Sequence, residues 1–179
     1  MTSLRIKNEN ENKIHFITIT TIAWTDIFTS KKYFEILLDS LIYCQKNKNL
    51  LVYEYVFMTN HIHLILQVKE GGTLSQVVND FKKHTTREIL KLLKEDNRKY
   101  LLWILEHSFQ NKENSQMQLW QSNNYPEVIE EEKFYMEKQN YICNNPVKKG
   151  FVKNPENWQY SSAGFRIHET KERIDLANI

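Results

Sequence analysis

The chain has 179 residues, 41% of them hydrophobic and 12% aromatic, enough for one domain with a real core. Four glycines and three prolines argue against disorder or a linker-rich array, and a net charge of only +2 excludes a global basic field, so any nucleic-acid surface must be local. Cys44 and Cys143 are the only cysteines and form no metal-type cluster; with no apolar signal region at the start and no run of membrane-spanning length, a reduced, cytoplasmic protein without a membrane partner is expected.

Ile14–Ile22 is β-branched and alternating, which predicts a strand. Ser30 is placed to cap a helix from Tyr33 to about Lys48, where Phe34, Leu37, Leu38, Leu41 and Ile42 recur at helical spacing. Leu51–Met58 and His61–Val68 read as two strands around a short Thr-Asn turn. Gly71-Gly72 breaks the chain, and Thr73 or Ser75 caps a second helix through Val77, Val78 and Phe81 towards Leu93. Residues 94–116 read as a helical extension followed by an exposed loop. Leu119-Trp-Gln121 starts an extended segment ending near Val128. Glu130 to about Asn144 is a third helix with an acidic first turn, and Pro146 is expected to stop it, because the residue before a proline is pushed out of the α region. A charged tail follows from about 165. The order strand–helix–strand–strand–helix, with a later strand, predicts an α+β fold: an antiparallel sheet with helices packed on one face.

The segment Tyr55-Val-Phe-Met-Thr-Asn-His-Ile-His-Leu-Ile-Leu-Gln-Val68 is the most informative. A strand turns successive side chains to opposite faces, so His61 and His63 point the same way, with anchors about 6.6 Å apart. Two neutral imidazoles at that spacing can lean onto one metal ion, and a divalent ion can polarise a phosphoryl oxygen. Taken alone, the pair is equally open to a buried, hydrogen-bonded role or to simple exposure. Ile62, Leu64, Leu66 and Val68 cover the opposite face and suit a core.

Tyr141, near the end of the third helix, carries the second piece of chemistry. Tyrosine can be a covalent nucleophile, but with nine tyrosines in the chain most will be packing residues. Asn145 lies four residues on and shares its helical face if the helix persists; otherwise it is a turn residue before Pro146. Lys82, Lys83, Lys148 and Lys149 are solvated pairs or, together, contacts to DNA phosphates.

Met58-Thr-Asn-His-Ile-His-Leu-Ile-Leu66 resembles the His-hydrophobic-His signature of the HUH single-tyrosine transposases, also called IS200-like transposases. Tyr141-Ile-Cys-Asn-Asn-Pro-Val-Lys-Lys-Gly-Phe-Val152 resembles their nucleophile helix and the turn after it. Trp120-Gln121 and Asn154-Pro-Glu-Asn-Trp-Gln-Tyr-Ser-Ser162 are similar to the branch called REP-associated tyrosine transposases, and the likeness covers about residues 14–164. The resemblance implies a ferredoxin-like (RRM-like) α+β sandwich in a single transposase domain, with both histidines on a central strand and with about 94–116 as a helical and loop insertion relative to a minimal family member. It implies an enzyme that binds single-stranded or hairpin DNA and cuts one strand through a 5′-phosphotyrosine adduct. His61 and His63 match the metal ligands, Asn145 takes the place of a polar third ligand, Tyr141 matches the nucleophile, and Mg2+ or Mn2+ is the expected ion. A monomer is favoured over a homodimer. Two competing functions are a non-catalytic single-strand binding protein on the same scaffold and a metal-dependent hydrolase using water, with Tyr141 structural.

Overall fold

A computed structural model describes residues 6–108, 117–164 and 174–178. Its sheet has four strands, β1 (His15–Thr20), β2 (Leu50–Phe57), β3 (His61–Val68) and β4 (Glu127–Val128), in the order β2-β3-β1-β4 with every pairing antiparallel. Helices α1 (Lys31–Asn47), α2 (Leu74–Glu95), α3 (Lys99–His107) and α4 (Glu132–Lys148) complete the main elements. This is the expected α+β arrangement. The loop predicted to follow α3 and most of the tail from about 165 lie outside the described residues.

Alternation along the strands sorts the two faces of the sheet. Ile17 and Ile19 of β1, and Ile62, Leu64, Leu66 and Val68 of β3, join the main core against α1 and α2. The helices meet them with Phe34, Leu37, Leu38 and Leu41 on α1 and Val77, Val78, Phe81 and Ile89 on α2, at i, i+3/i+4 spacing once the buried Thr85 between Phe81 and Ile89 is included. In β2 an irregularity between Val52 and Glu54 shifts the phase, so Leu50 and Val52 before it and Tyr55 and Phe57 after it reach the same core. Two helices thus form the expected layer on one face. The other face is covered by α4, whose Tyr135 and Ile142 pack on Phe16, Val56, Met58 and Ile65 in a second, smaller core.

The extension predicted after α2 is a separate helix, α3. Asn97 takes a left-handed φ of 54° between the two helices and turns the chain. The outer edge of β2 is closed by the polypeptide that follows α4: Phe57 N–H donates to Tyr160 O at 2.8 Å, Ser162 N–H to Tyr55 O at 3.0 Å and Ala177 N–H to Val52 O at 2.8 Å. An edge covered in this way offers no template for another chain.

The expectation that Pro146 stops the third helix is overturned, because α4 runs on to Lys148 with Pro146 buried inside it. Proline so close to a helix end removes only one hydrogen bond, and the helix closes later. Phe151 N–H donates to Pro146 O at 3.0 Å and Gly150 N–H to Val147 O at 2.9 Å, with Gly150 at φ +75°. This is the glycine-terminated end that the left-handed conformation permits. Asn145 therefore stays helical, one turn beyond Tyr141.

Candidate functional site

On the sheet face under α4, His61 and His63 stand side by side with ring centroids 4.8 Å apart. The Tyr141 ring meets His63 edge-on at 5.0 Å, and Phe16 stacks on His63 at 5.5 Å while meeting Tyr141 edge-on at 5.9 Å. The β3 alternation delivers the imidazoles, and the apolar contact of Ile142 with the sheet presses α4 down beside them. Both rings and Asn145 are buried, whereas Tyr141 is 40% exposed. The site is thus a buried cluster of nitrogen and oxygen donors with a phenol at its mouth.

Hydrogen bonds orient the rings. His61 Nδ1 donates to Asn60 Oδ1 at 2.7 Å, and His63 Nδ1 pairs with Thr18 Oγ1 at 2.9 Å. Fixing Nδ1 leaves each Nε2 as the nitrogen available to a ligand. His63 Nε2 and Asn145 Oδ1 are both buried without a hydrogen-bond partner among the described residues. Such orphaned atoms cost free energy unless something else coordinates them, and they carry the chemistry of metal donors. Among the described residues no group of three or more His, Cys, Asp and Glu side chains is placed to hold a metal, so the donor set here is two imidazoles and one amide.

Electrostatics keep the imidazoles neutral. Burial pushes His61 down to about 4, helped by Lys149 and opposed by the nearby Asn145 amide and by Asp26. His63 is pushed down to about 3 by burial first, then by His61, Lys138 and Lys149. Neutral rings are the ligating form, ready at neutral pH without proton loss.

The lysines separate into two groups. Lys148 and Lys149 are at the site: Lys148 Nζ lies 5.5 Å from the Tyr141 ring centroid, and the Lys149 charge acts on both histidines. Lys82 and Lys83 instead line a groove between α2 and the 117–122 segment, with Arg87 and Trp120. Lys82 is already engaged, donating to Gln121 O at 2.7 Å and Asn124 Oδ1 at 2.9 Å, and its burial pushes it down to about 8. Lys83 is exposed.

Sequence reasoning missed three residues. Thr18 and Asn60 orient the histidines; Asn60 was visible as the neighbour of His61, but Thr18 becomes legible only once the register sets it opposite His63. The third is Glu54, fully buried beneath α4, where it accepts from Tyr135 OH at 3.2 Å and from Gln139 Nε2 and Ser162 Oγ. A lone carboxylate inside the apolar run Leu50-Leu-Val-Tyr-Glu-Tyr-Val-Phe57 is the signal for it, but its partners Tyr135, Gln139 and Ser162 are remote in sequence, so its hold on the tyrosine helix shows only in the fold.

An antiparallel α+β sandwich with a His-x-His pair on a central strand, facing a tyrosine and an amide one helical turn apart, defines a class of His-hydrophobic-His protein. The chain belongs to the IS200-like transposase family, whose model matches residues 8–145. A solved structure described as the REP-associated tyrosine transposase bound to a REP hairpin shares the fold, with a TM-score of 0.64, 19% identity, and coverage of 94% of this chain and 90% of that one. Two solved structures described as a bacterial tRNA(His) guanylyltransferase (Thg1)-like protein, in complex with GTP and with ATP, align with TM-scores of 0.44 and 0.45 at 9% and 10% identity, over 81% and 87% of this chain and 68% and 70% of those chains. No curated protein matches the chain.

Proposed function

We propose that this transposase nicks and rejoins single-stranded DNA, with Tyr141 as the nucleophile. The observation that carries the reading is the convergence of a half-exposed phenol on two buried, unpartnered donor atoms, His63 Nε2 and Asn145 Oδ1. Tyr141 Oη attacks the phosphorus of a phosphodiester. The new Oη–P bond forms as the P–O3′ bond breaks, the phenol proton is lost, and the leaving 3′-oxygen takes up a proton. The products are a 5′-phosphotyrosine adduct and a free 3′-hydroxyl. Attack by a 3′-hydroxyl on the adduct reverses the bond changes and rejoins the strand, so the energy of the broken bond is retained and no ATP is needed.

His61, His63 and Asn145 fit a divalent ion, Mg2+ or Mn2+, which would balance the phosphate's charge and polarise its oxygen. Thr18 and Asn60 hold the imidazoles in the ligating orientation. Lys148 and Lys149 offer cations to the DNA backbone on the open side of the site. Lys83 is a further backbone contact on α2, while Lys82 stays in its internal hydrogen bonds. Single-stranded or hairpin-flanked DNA suits a tyrosine on a helix and donors on a strand, which have to flank one exposed phosphate. That the fold neighbour is a transposase bound to a REP hairpin supports the hairpin as substrate class. The protein acts as one domain, as a cytoplasmic monomer. Among the described residues no helix is long and apolar enough to cross a membrane.

The test uses 3′-end-labelled single strands from the DNA flanking the gene, incubated with Mn2+ and resolved after denaturation. Wild type is expected to yield a labelled protein band, and Tyr141→Phe to yield none while still binding the strand. An adduct in Tyr141→Phe ends the nucleophile assignment. Turnover without any adduct favours a water-using hydrolase, and binding without turnover favours a non-catalytic binding protein.

A further inference from the structure

At the end of β1 the chain makes a 3-10 turn, Ile22–Trp24, in which two consecutive non-glycine residues, Ala23 and Trp24, both sit at φ 53°. Left-handed backbone at such residues is uncommon and persists only where surrounding bonds enforce it. Here they do: Thr21 Oγ1 donates to Thr25 O at 2.9 Å, Thr25 Oγ1 to Ile22 O at 2.8 Å, and Asn60 Nδ2 to Trp24 O at 3.2 Å. The turn holds the Trp24 side chain 59% exposed, its ring edge-on to His61 at a centroid separation of 6.1 Å. Burying the indole would have been favourable, since a tryptophan carries a large apolar area.

Asn60 links the two features. Its Nδ2 holds the Trp24 backbone while its Oδ1 holds His61 Nδ1. One amide therefore ties the Trp24 backbone, from which the indole projects, to the His61 imidazole. Lys149 supplies positive charge to the same imidazole, so a cation and an exposed π-face both serve His61. Of the parts of a nucleotide, the phosphate carries the negative charge and the base the π-face, and this pair of features matches them.

We propose that Trp24 is a base-stacking subsite, receiving an unpaired nucleobase next to the phosphate held at His61, His63 and Tyr141. The subsite rests on the reading of the site as a DNA-strand nuclease and adds to it a binding element for the base. Stacking on an indole face tolerates any base, so the subsite selects for single-stranded character. A base paired in a duplex has both faces covered by its neighbours and cannot reach the ring. Trp24 thereby favours the unpaired strand.

The experiment measures binding in a Tyr141→Phe background, which cannot cut, by fluorescence anisotropy of labelled (dT)12 and of an abasic 12-mer of equal charge. With Trp24 present, (dT)12 should bind more tightly than the abasic strand. Trp24→Gly should weaken (dT)12 by roughly 5- to 150-fold and leave the abasic strand unchanged. Trp24→Phe should recover most of the loss. Glycine accepts positive φ without strain, so Trp24→Gly should melt no earlier than its parent. If it does melt earlier, Trp24→Leu, apolar but without a π-face, replaces it and should show the same selective loss. Unchanged (dT)12 affinity, no discrimination between the strands by the parent, or an equal loss on both probes overturns the subsite. So does a change in oligomeric state with DNA affinity intact, which would mark Trp24 as a contact between copies of the chain. Failure of wild type to form the phosphotyrosine adduct would sink the nuclease reading instead, and it is scored separately from these affinities.

Discussion

Lowering the pH should destabilise the metal-free protein through His61 and His63, and the magnitude follows from their burial. In the unfolded chain both imidazoles titrate near 6.5; in the fold they are pushed down to about 4 and about 3. Above pH 6.5 the rings are neutral in both states and contribute no pH dependence. As pH falls below 6.5 the unfolded chain takes up protons that the folded chain refuses, so stability falls, and it goes on falling until the folded pKa values are reached. At pH 5 both folded rings are still neutral, so the size of the effect is set by the unfolded imidazole alone. One and a half pH units correspond to about 2 kcal/mol per histidine, or about 4 kcal/mol for the pair. The assay is urea denaturation in excess chelator at pH 7 and pH 5, comparing wild type with the double variant His61→Gln/His63→Gln. Wild type should lose about 4 kcal/mol more than the variant between the two pH values, while His15 and the carboxylates, common to both proteins, cancel. Equal losses would show that the imidazoles are protonated in the fold at pH 5, and the picture of two buried neutral ligands would be refuted.

Asn145→Ala should raise the metal concentration needed for half-maximal cleavage without lowering the melting temperature in chelator, because it removes a buried carbonyl that faces the neighbouring His61 ring and accepts no hydrogen bond that holds the fold; earlier melting with an unchanged metal requirement would make Asn145 structural. Glu54→Ala should cost about 2 kcal/mol, and roughly 4–8 °C in melting temperature by circular dichroism, since it removes the acceptor of the Tyr135 OH, Gln139 Nε2 and Ser162 Oγ hydrogen bonds beneath α4; a loss below about 1 kcal/mol would refute that role. Lys149→Ala should weaken DNA binding and reduce the slope of log affinity against log salt by about one, whereas Lys82→Ala should lower thermal stability and leave that slope unchanged. The reverse pattern in titrations at several salt concentrations would return Lys82 to the DNA surface.

The alternation of β1 and β3 and the helical spacing in α1 and α2 were legible from residue order, because strand and helix periods are local and one buried layer of two helices satisfies them. The His61–His63 pair was legible for the same reason: period two puts both rings on one face whatever else surrounds them. The fate of α4 was not. Pro146 is a local signal for termination, yet it lies only a few residues from a glycine able to close the helix, and burial of Ile142 and Pro146 against the chain's interior keeps the turn wound. The Lys148-Lys149-Gly150 run was the signal to heed, since basic residues followed by glycine mark a helix end as strongly as proline does. Lys82 and Lys83 looked equivalent as a pair. Their difference comes from Gln121 and Asn124, which are remote in sequence and meet Lys82 only after the 117–124 segment folds back over α2.

The histidine pair, the tyrosine block and the α+β alternation that bears them follow from residue order, because each depends on residues within one strand or one helix. The tertiary structure alone decided that α4 crosses the face carrying the histidines, that Thr18 and Asn60 turn their rings, and that Glu54 anchors the tyrosine helix from below. Those facts depend on strand register and on contacts between segments remote from one another in sequence. No local periodicity encodes them; only the packing of the whole sheet fixes them.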